Sequence, residues 1–500
     1  MSAIRRFSRV LSPRLMLAMF LAPHCPVALA AETASARAMP VGNIDPFAFI
    51  LLELGVIVIA ALVAHLLARR YALPEVLGEL LIGIVLGNFL YWFGWSPLFF
   101  LIMHLGDAGD LFREVWTSGS SIAEAAAQVF APEELAADQV GGKLVAALTG
   151  PEAPELVLMG IALWVFSNLG VILLLFKLGL QSSLEEMLRI GPQSLAIALA
   201  GSFASFLLGL VASLWLLGDS PWSARVLLAS TLTASSLRIS ARVLEDMDKR
   251  RASEARLVLG ASLIDSVLAM IIVAVAVTSA VTGRTQIHEV GGIILSAVLF
   301  FAAVAFLGRR FASLPMPAIY QRNQYHAKLL VPLAVAFFMS WFANTVQLSV
   351  IVGAFAAGLI LSDQSLGEPG KGKLSIASLI TPLEAIFAPI FFVLVGMQVN
   401  LLHFLSPPVF GAALVLTIVA VAGKVLAGFA ADRNLDRLSM GLALVPRGEV
   451  ALIIASVAKS LGLITDTLYS AVVVMVIMTM TLTPFALKWS LVQLPTPARS

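Results

Sequence analysis

Long apolar runs separated by short polar stretches repeat along the chain from about residue 46 to residue 488. Each run holds about 20 residues, the length at which a helix crosses ~30 Å of hydrocarbon. The pattern predicts an all-α polytopic membrane protein with about thirteen transmembrane helices. The predicted spans lie near 46–68, 75–93, 157–180, 194–217, 224–244, 257–282, 291–308, 328–345, 347–362, 379–398, 407–431, 438–460 and 467–488.

Composition supports the same class. Of the 500 residues, 59% are hydrophobic and 12% are charged, whereas a soluble protein has roughly 25% charged residues. The formal charge of +2 argues against a nucleic-acid partner. The only cysteine, Cys25, excludes an internal disulfide framework. An HExxH motif is absent, which disfavours an intramembrane hydrolase. We expect neither an enzyme nor a resident cofactor, and membrane lipid as the surrounding partner.

Residues 1–31 have the three parts of a secretory signal. A basic segment with four arginines spans 5–14, an apolar stretch spans 15–22, and small residues follow at 28–30. The alternative is a first transmembrane helix, but this apolar stretch is too short to cross a bilayer. We therefore predict a cleaved signal. At the other end, the chain stops soon after its last apolar run, which predicts no C-terminal soluble domain.

Lysine and arginine concentrate in alternate loops, for example Arg69–Arg70, Lys249–Arg251 and Arg309–Arg310. By the positive-inside rule these loops are cytoplasmic. The prediction is a multi-pass protein of the bacterial inner membrane, with its mature N-terminus outside and its C-terminus cytoplasmic. The first two transmembrane helices occupy 46–93 and the remaining membrane domain occupies 157–488. Between them, 94–156 forms a periplasmic insert with nine acidic residues, for which the sequence indicates no function.

Charged side chains within the predicted spans are the candidate functional groups. Each costs at least ~2.5–3.5 kcal/mol at the bilayer centre. After those near span ends are set aside, the candidates are Lys177, Arg238, Asp265, Lys424, Arg447 and Glu449. Asp265 lies about one third of the way along its span. A carboxylate in that position can take up a proton or bind a hard cation, which is the minimum requirement for exchange.

Two interrupted segments accompany Asp265. The stretch STLTASSLRIS at 230–240 clusters Thr231, Thr233, Ser235 and Ser236, whose hydroxyls compete for backbone hydrogen bonds and help a helix to open. The alternative is a small-residue packing face between helices. The stretch VPRGEV at 445–450 contains two helix breakers, Pro446 and Gly448. Its charged residues, Arg447 and Glu449, could bind an ion or only hold helices together.

These segments resemble the monovalent cation:proton antiporter-2 family. The motifs that carry the resemblance occur in family order and are specific as a set. They are LPEVLGELLIGIVLGN at 73–88, NLGVILLLFKLGLQSSLEEML at 168–188, TLTASSLRISARVLEDM at 231–247, LGASLIDSVLAMIIVAVA at 259–276, VGAFAAGLILSD at 352–363, PIFFVLVGMQVNL at 389–401 and VPRGEVALIIASVAKSLGLIT at 445–465.

The resemblance implies a sodium/proton antiporter-like fold built from inverted repeats, with two crossing discontinuous helices and a core bundle that moves against a scaffold bundle. Asp265 would be the acidic cation and proton site. Thr233, Ser235 and Ser236 would form the unwound segment beside it. Ser266 would complete the site, with Arg238, Lys424, Arg447 and Glu449 as supporting charges. The relatives are commonly homodimers, so we expect a homodimer.

Two residues depart from the family pattern. The family usually has a second acidic residue where this chain has Ser266, and a small residue where it has Arg238. A guanidinium stays protonated, so Arg238 close to Asp265 would compete with both the proton and the cation. Either Arg238 points away towards the cytoplasmic end, or the pair acts as a lock.

The sequence therefore predicts a secondary active transporter that exchanges Na+ or K+ for H+ by alternating access at Asp265 and contributes to pH homeostasis. The alternative is a non-exchanging channel-like or sensory relative, locked by an Arg238–Asp265 pair.

Overall fold

A computed structural model describes residues 46–492, apart from 93–99, 151–152, 182–190, 237–252, 283–290, 293–294, 307–323, 362–374, 402–405 and single positions. The predicted signal at 1–31 and Arg238 lie outside the described residues. The described part contains helices and no strand. In chain order the helices are α1 Pro46–Arg70, α2 Glu75–Trp92, α3 Leu105–Ser118, α4 Ile122–Val129, α5 Val140–Thr149, α6 Ala153–Gln181, α7 Pro192–Leu216, α8 Trp222–Thr231, α9 Ser253–Thr282, α10 Gln324–Thr345, α11 Val350–Ile360, α12 Ile376–Met397, α13 Pro407–Gly428, α14 Arg437–Ala443, α15 Glu449–Ser460 and α16 Asp466–Val492.

Seven of the described helices are long and apolar enough to cross a membrane: α1, α6, α7, α9, α12, α13 and α16. Shorter apolar helices include α10, α11 and a segment at Leu295–Val304. The all-α prediction is confirmed. The number thirteen stays a prediction.

The outer surface of the bundle is apolar. Phe203 and Trp215 on α7, Phe338 on α10 and Phe485 on α16 are all at least 60% exposed. Large apolar side chains in this number would be a liability in water, but they match hydrocarbon. The described helices are those of a multi-pass membrane protein.

The strongest helix–helix contacts fall into two sets. The core bundle contains α7, α8, α9, α13, α14, α15 and α16. The scaffold bundle contains α2, α6, α10, α11 and α12, and Ile57 and Ala61 attach α1 to it. Within the core bundle the order is twice a continuous helix, an interrupted segment and another continuous helix, which is the arrangement expected of a repeated unit.

Small residues allow both bundles to pack closely. In the scaffold, a Cβ at Gly83 would lie 2.3 Å from the Val393 carbonyl oxygen, and one at Gly179 would lie 2.2 Å from that of Phe355. In the core, a Cβ at Gly423 would lie 2.6 Å from the Ser205 hydroxyl. Membrane helices associate through such close backbone approaches, because lipid leaves no apolar driving force between them.

Residues 100–102 and helices α3, α4 and α5 form a small unit, here called the cap, within the predicted acidic insert. Its side chains build a hydrophobic cluster from Leu101, Leu111, Leu144 and Leu148, and Leu156 of α6 belongs to the same cluster. Ser121 starts α4 with a capping box, in which its hydroxyl accepts from the Glu124 amide and the Glu124 carboxylate accepts from the Ser121 amide.

Candidate functional site

The two interrupted segments meet inside the core bundle. Helix α8 ends at Thr231, and residues 232–236 continue without helical structure. Helix α14 ends at Ala443, and α15 begins at Glu449. The Ser235 hydroxyl donates to the Leu444 carbonyl oxygen at 2.7 Å, and the Ser236 amide donates to that of Pro446 at 2.7 Å. Helix ends therefore cross here, with their backbone groups bound to one another.

Gly448 permits this close crossing. A Cβ on that residue would lie 2.8 Å from the Ser236 hydroxyl oxygen, closer than real Cβ atoms approach. The close crossing thus explains why a glycine stands two residues after Pro446.

Arg447 holds the crossing together. Its side chain is fully buried. Its Nη1 donates to the Ala234 carbonyl oxygen at 3.0 Å and to the Ser235 hydroxyl at 3.4 Å, and its Nη2 donates to the Ala420 carbonyl oxygen at 3.3 Å. A guanidinium can satisfy several carbonyl groups at once because its donors point in fixed directions. Arg447 therefore links both interrupted segments to α13.

Asp265 and Lys424 form a buried ion pair next to the crossing. The Lys424 ammonium donates to both carboxylate oxygens of Asp265, at 2.7 and 2.6 Å, and the two side chains are 1% or less exposed. The Ser202 hydroxyl donates to the same carboxylate. Three helices, α7, α9 and α13, thus meet at one negative charge.

The close approach of α7 to α13 makes this pair possible. A Cβ at Gly201 would lie 3.5 Å from Lys424 Nζ. Glycine at this position leaves room for the lysine side chain to lie between the helices and reach Asp265. The position of the Lys424 ammonium therefore follows from helix packing and not from residues near Lys424 in the sequence.

The hydroxyls around Asp265 are not those nearest in sequence. Ser266 donates its hydroxyl to the Ser262 carbonyl oxygen at 3.0 Å, and Ser202 is the residue that reaches the carboxylate. The buried hydroxyls of Ser205 and Ser262 have no hydrogen-bond partner among the described residues. Sequence reasoning missed Ser202 and Ser205, although their spacing of three places both on one face of α7.

A cavity lies where the core bundle faces the scaffold. Core residues that line it include Ser235, Ser236, Ser266 and Glu449, and α6 contributes Leu178 and Gln181. Thr233 is turned away, since its hydroxyl donates to the Ser230 carbonyl oxygen at 2.8 Å. Of the predicted site residues, the structure brings Ser235, Ser236, Ser266 and Glu449 to the cavity.

A second set of buried charges lies in the scaffold bundle. Lys177 on α6 forms an ion pair with Glu384 on α12. His65 on α1 binds the Glu79 carboxylate on α2 at 2.8 Å. Each pair joins helices that run on without a break past the contact. No group of three or more His, Cys, Asp or Glu side chains suited to a resident metal occurs among the described residues.

The site therefore contains a buried carboxylate, Asp265, that can bind one proton or one cation. A lysine already neutralises its charge in the structure. Any ion that binds both Asp265 oxygens must displace the Lys424 ammonium, because the two positive charges would occupy the same position. The cavity beside the crossing supplies neutral hydroxyl oxygens, which are ligands suited to hard monovalent ions.

Comparisons with known proteins agree with this arrangement. The sequence profile described as "Sodium/hydrogen exchanger, transmembrane" matches residues 57–493. The chain is 32% identical over 445 residues to a high-affinity Na+/H+ antiporter, NhaS3, of Synechocystis sp., covering 87% of this chain and 88% of the relative. It is 33% identical over 336 residues to the Na+/H+–K+ antiporter GerN of Bacillus cereus, covering 65% and 82%.

A solved structure with the same fold is the sodium proton antiporter MjNhaP1 from Methanocaldococcus jannaschii. The match has a TM-score of 0.56 at 13% identity, and it covers 89% of this chain and 99% of the other. At that identity the likeness concerns the fold alone. It confirms the predicted antiporter-like architecture.

Proposed function

The chain belongs to the sodium/hydrogen exchanger family, and on that premise we propose that it exchanges a monovalent cation, Na+ or K+, for H+ at Asp265. The observation that carries the proposal is the Asp265–Lys424 pair, buried beside the crossing of two interrupted helices. A fully buried ion pair is a poor way to stabilise a fold. It is well suited to a carboxylate that must release one positive partner to accept another.

In the proposed cycle, Lys424 occupies Asp265 while the cation site is unloaded. A cation that enters the cavity meets the hydroxyls of Ser235, Ser236 and Ser266 and takes over the Asp265 charge from Lys424. A proton competes for the same carboxylate. Because the proton and the cation exclude each other there, transport of one is coupled to return transport of the other.

Alternating access then requires the core bundle to move against the scaffold, as in transporters whose ion site lies between two such units. The cavity between α6 and the crossing lies at this boundary. Arg447 ties both interrupted segments to α13, so the site moves with the core bundle as one body.

The alternative, a non-exchanging relative locked by Arg238 and Asp265, finds no support in the relatives, which are named antiporters. Lys424 is the cation bound to Asp265, and it holds the carboxylate through hydrogen bonds that an incoming ion can replace. Membership of a family of antiporters supports a transporter rather than an enzyme.

We further infer that the protein lies in the bacterial inner membrane as a homodimer, with the cap on the periplasmic side and the C-terminus cytoplasmic. The support is the distribution of Lys and Arg between loops and the family resemblance. In this setting the exchange would serve pH homeostasis.

The test uses purified protein in liposomes with an acidic lumen and a pH-sensitive dye inside. We expect external Na+ or K+, but not choline, to raise the internal pH, and titration of the two ions separates their affinities. A protein that moves no protons with either ion overturns the proposal. Protein-free liposomes are the control.

A further inference from the structure

The cap touches both bundles. On the scaffold side, a Cβ at Gly109 of α3 would lie 3.2 Å from Trp164 Nε1 of α6. A Cβ at Gly160 of α6 would lie 2.9 Å from the Leu101 side chain. Leu156 of α6 belongs to the hydrophobic cluster of the cap. The cap is therefore packed firmly on the scaffold.

On the core side, α3 contacts the end of α15. A Cβ at Gly106 of α3 would lie 3.9 Å from Lys459 Cγ and from Ser460 Cα, at the last turn of α15. These are ordinary van der Waals distances. Glycine at position 106 brings the backbone of α3 against this helix end without a side chain between them.

The helix end that the cap touches is itself anchored in the core bundle. Lys459 is 4% exposed, its ammonium lies 2.8 Å from the Asp466 carboxylate, and it lies 4.8 Å from the centre of the Tyr469 ring. Asp466 and Tyr469 both belong to α16. A force on the last turn of α15 is therefore transmitted to the core bundle as a whole.

The same helix begins at the ion site. Helix α15 runs from Glu449, which lines the cavity, to Ser460 under the cap. At 1.5 Å per residue, these ends are about 16 Å apart. A rigid helix thus connects the cap contact to the crossing.

We propose that the cap is a brake on exchange: it is fixed to the scaffold, it bears on the end of α15, and it restrains the movement of the core bundle against the scaffold. The proposal rests on the proposed function, because it assumes the bundle movement of an exchanger. Its physical basis is that one unit contacts both bundles. The contact of α3 and α5 with α6 persists through the cycle, whereas the contact of α3 with α15 must slide or open in each turnover.

A disulfide between α3 and α15 tests whether the cap restrains exchange. In a protein with Cys25→Ser, we introduce Gly106→Cys and Ser460→Cys. A Cβ at position 106 would lie 3.9 Å from Ser460 Cα, so the two Cα atoms are at most about 5.4 Å apart, within the range that a disulfide spans. Oxidation is expected to reduce the exchange rate in proteoliposomes at least tenfold, and a reductant is expected to restore it. The matched control is Leu101→Cys with Gly160→Cys, which joins the cap to the scaffold and is expected to leave the rate within twofold.

The outcomes separate the two proposals. An oxidised Gly106→Cys, Ser460→Cys protein that exchanges as fast as its reduced form overturns the brake while the proposed function stands. A pair that does not oxidise contradicts the contact and also overturns the brake. A wild-type protein without exchange overturns the proposed function instead.

A second variant tests whether a weaker contact between α3 and α15 makes exchange faster. Gly106→Phe places a ring between α3 and α15 and weakens the contact, while the cap keeps its packing on α6. We expect a higher maximal rate at an unchanged KM for the cation. A lower or unchanged maximal rate speaks against the brake.

Discussion

Among the described residues, Lys177–Glu384 and Lys424–Asp265 are lysine–carboxylate pairs in which both side chains are at most 12% exposed. One pair lies in each bundle, and they differ in what surrounds them. Lys177 and Glu384 join α6 and α12, two helices that continue through the contact. Lys424 and Asp265 lie beside two interrupted segments and receive a further hydrogen bond from Ser202. The first pair has fixed neighbours on continuous helices, whereas the second has hydroxyls and helix ends that can bind an ion in place of the lysine.

A buried ion pair by itself therefore does not identify a transport site. Both pairs cost desolvation, and both leave a destabilising charge behind when one partner is removed. The difference lies in the backbone. In the proposed function, the interrupted helices beside Asp265 supply replacement ligands and allow rearrangement, whereas α6 and α12 continue through the contact with Glu384.

The largest expected effect is a difference in transport activity between variants of the two carboxylates, Asp265 and Glu384. Asp265→Asn is expected to reduce cation-driven proton flux at least ~100-fold, about 2.7 kcal/mol, because an amide offers no charge for which proton and cation compete. Glu384→Gln is the matched variant, and its flux per folded protein is expected to stay within about threefold of wild type. Both are measured in proteoliposomes, with monodispersity in detergent as the control for folding. If both variants abolish exchange, the contrast between the pairs is wrong.

Thermal stability tests whether the Lys177–Glu384 pair is structural. Lys177→Met removes the ammonium that pairs with the Glu384 carboxylate and is expected to destabilise the protein by about 3–5 kcal/mol. The double variant Lys177→Met, Glu384→Leu replaces the whole pair by apolar groups, so its loss is expected to be smaller than that of the single variant. Unfolding in detergent measures this. A double variant less stable than the single one contradicts a purely structural role of the pair.

The last prediction concerns Asp110 in the cap, a partly buried carboxylate outside the membrane-spanning segments. Burial raises the pKa of Asp110 from its ordinary value near 3.8 to about 7, although Arg113 opposes this shift. The folded cap then holds a proton that the unfolded cap releases above pH 4. Cap stability therefore falls by at most about 1.4 kcal/mol per pH unit between pH 4 and pH 7 and levels off above pH 7.

Hydrogen exchange of the α3 amides, corrected for intrinsic rates, measures this dependence. Protection is expected to be greater at pH 5 than at pH 8 in the wild type. Asp110→Asn cannot titrate and is expected to remove the difference. Equal pH dependence in both proteins would show that Asp110 is not its source.

Much of the architecture could be predicted from the sequence because the bilayer imposes it locally. A run of about 20 apolar residues forms a helix wherever it lies in the chain, and each predicted span with described residues contains helix. The two interruptions were also visible, because Pro446, Gly448 and the hydroxyls of 231–236 act on their own backbone. Asp265 and Lys424 stood out for the same reason, since a charge in an apolar run is costly whatever its partners are.

Only the tertiary structure decided which of these charges meet. Lys424 and Asp265 are 159 residues apart in the sequence, and the pairing depends on α7 and α13 approaching closely at Gly201 and Gly423. The sequence left two positions open for Arg238, which lies outside the described residues, and favoured Ser266 as the hydroxyl beside Asp265. Among the described residues, the packed bundle brings Lys424 and Ser202 to the carboxylate and attaches the cap to both bundles. Local sequence governs the free energy of inserting each segment into lipid. Contacts between segments follow instead from shape complementarity along whole helices, and residues far apart in the chain contribute to it together.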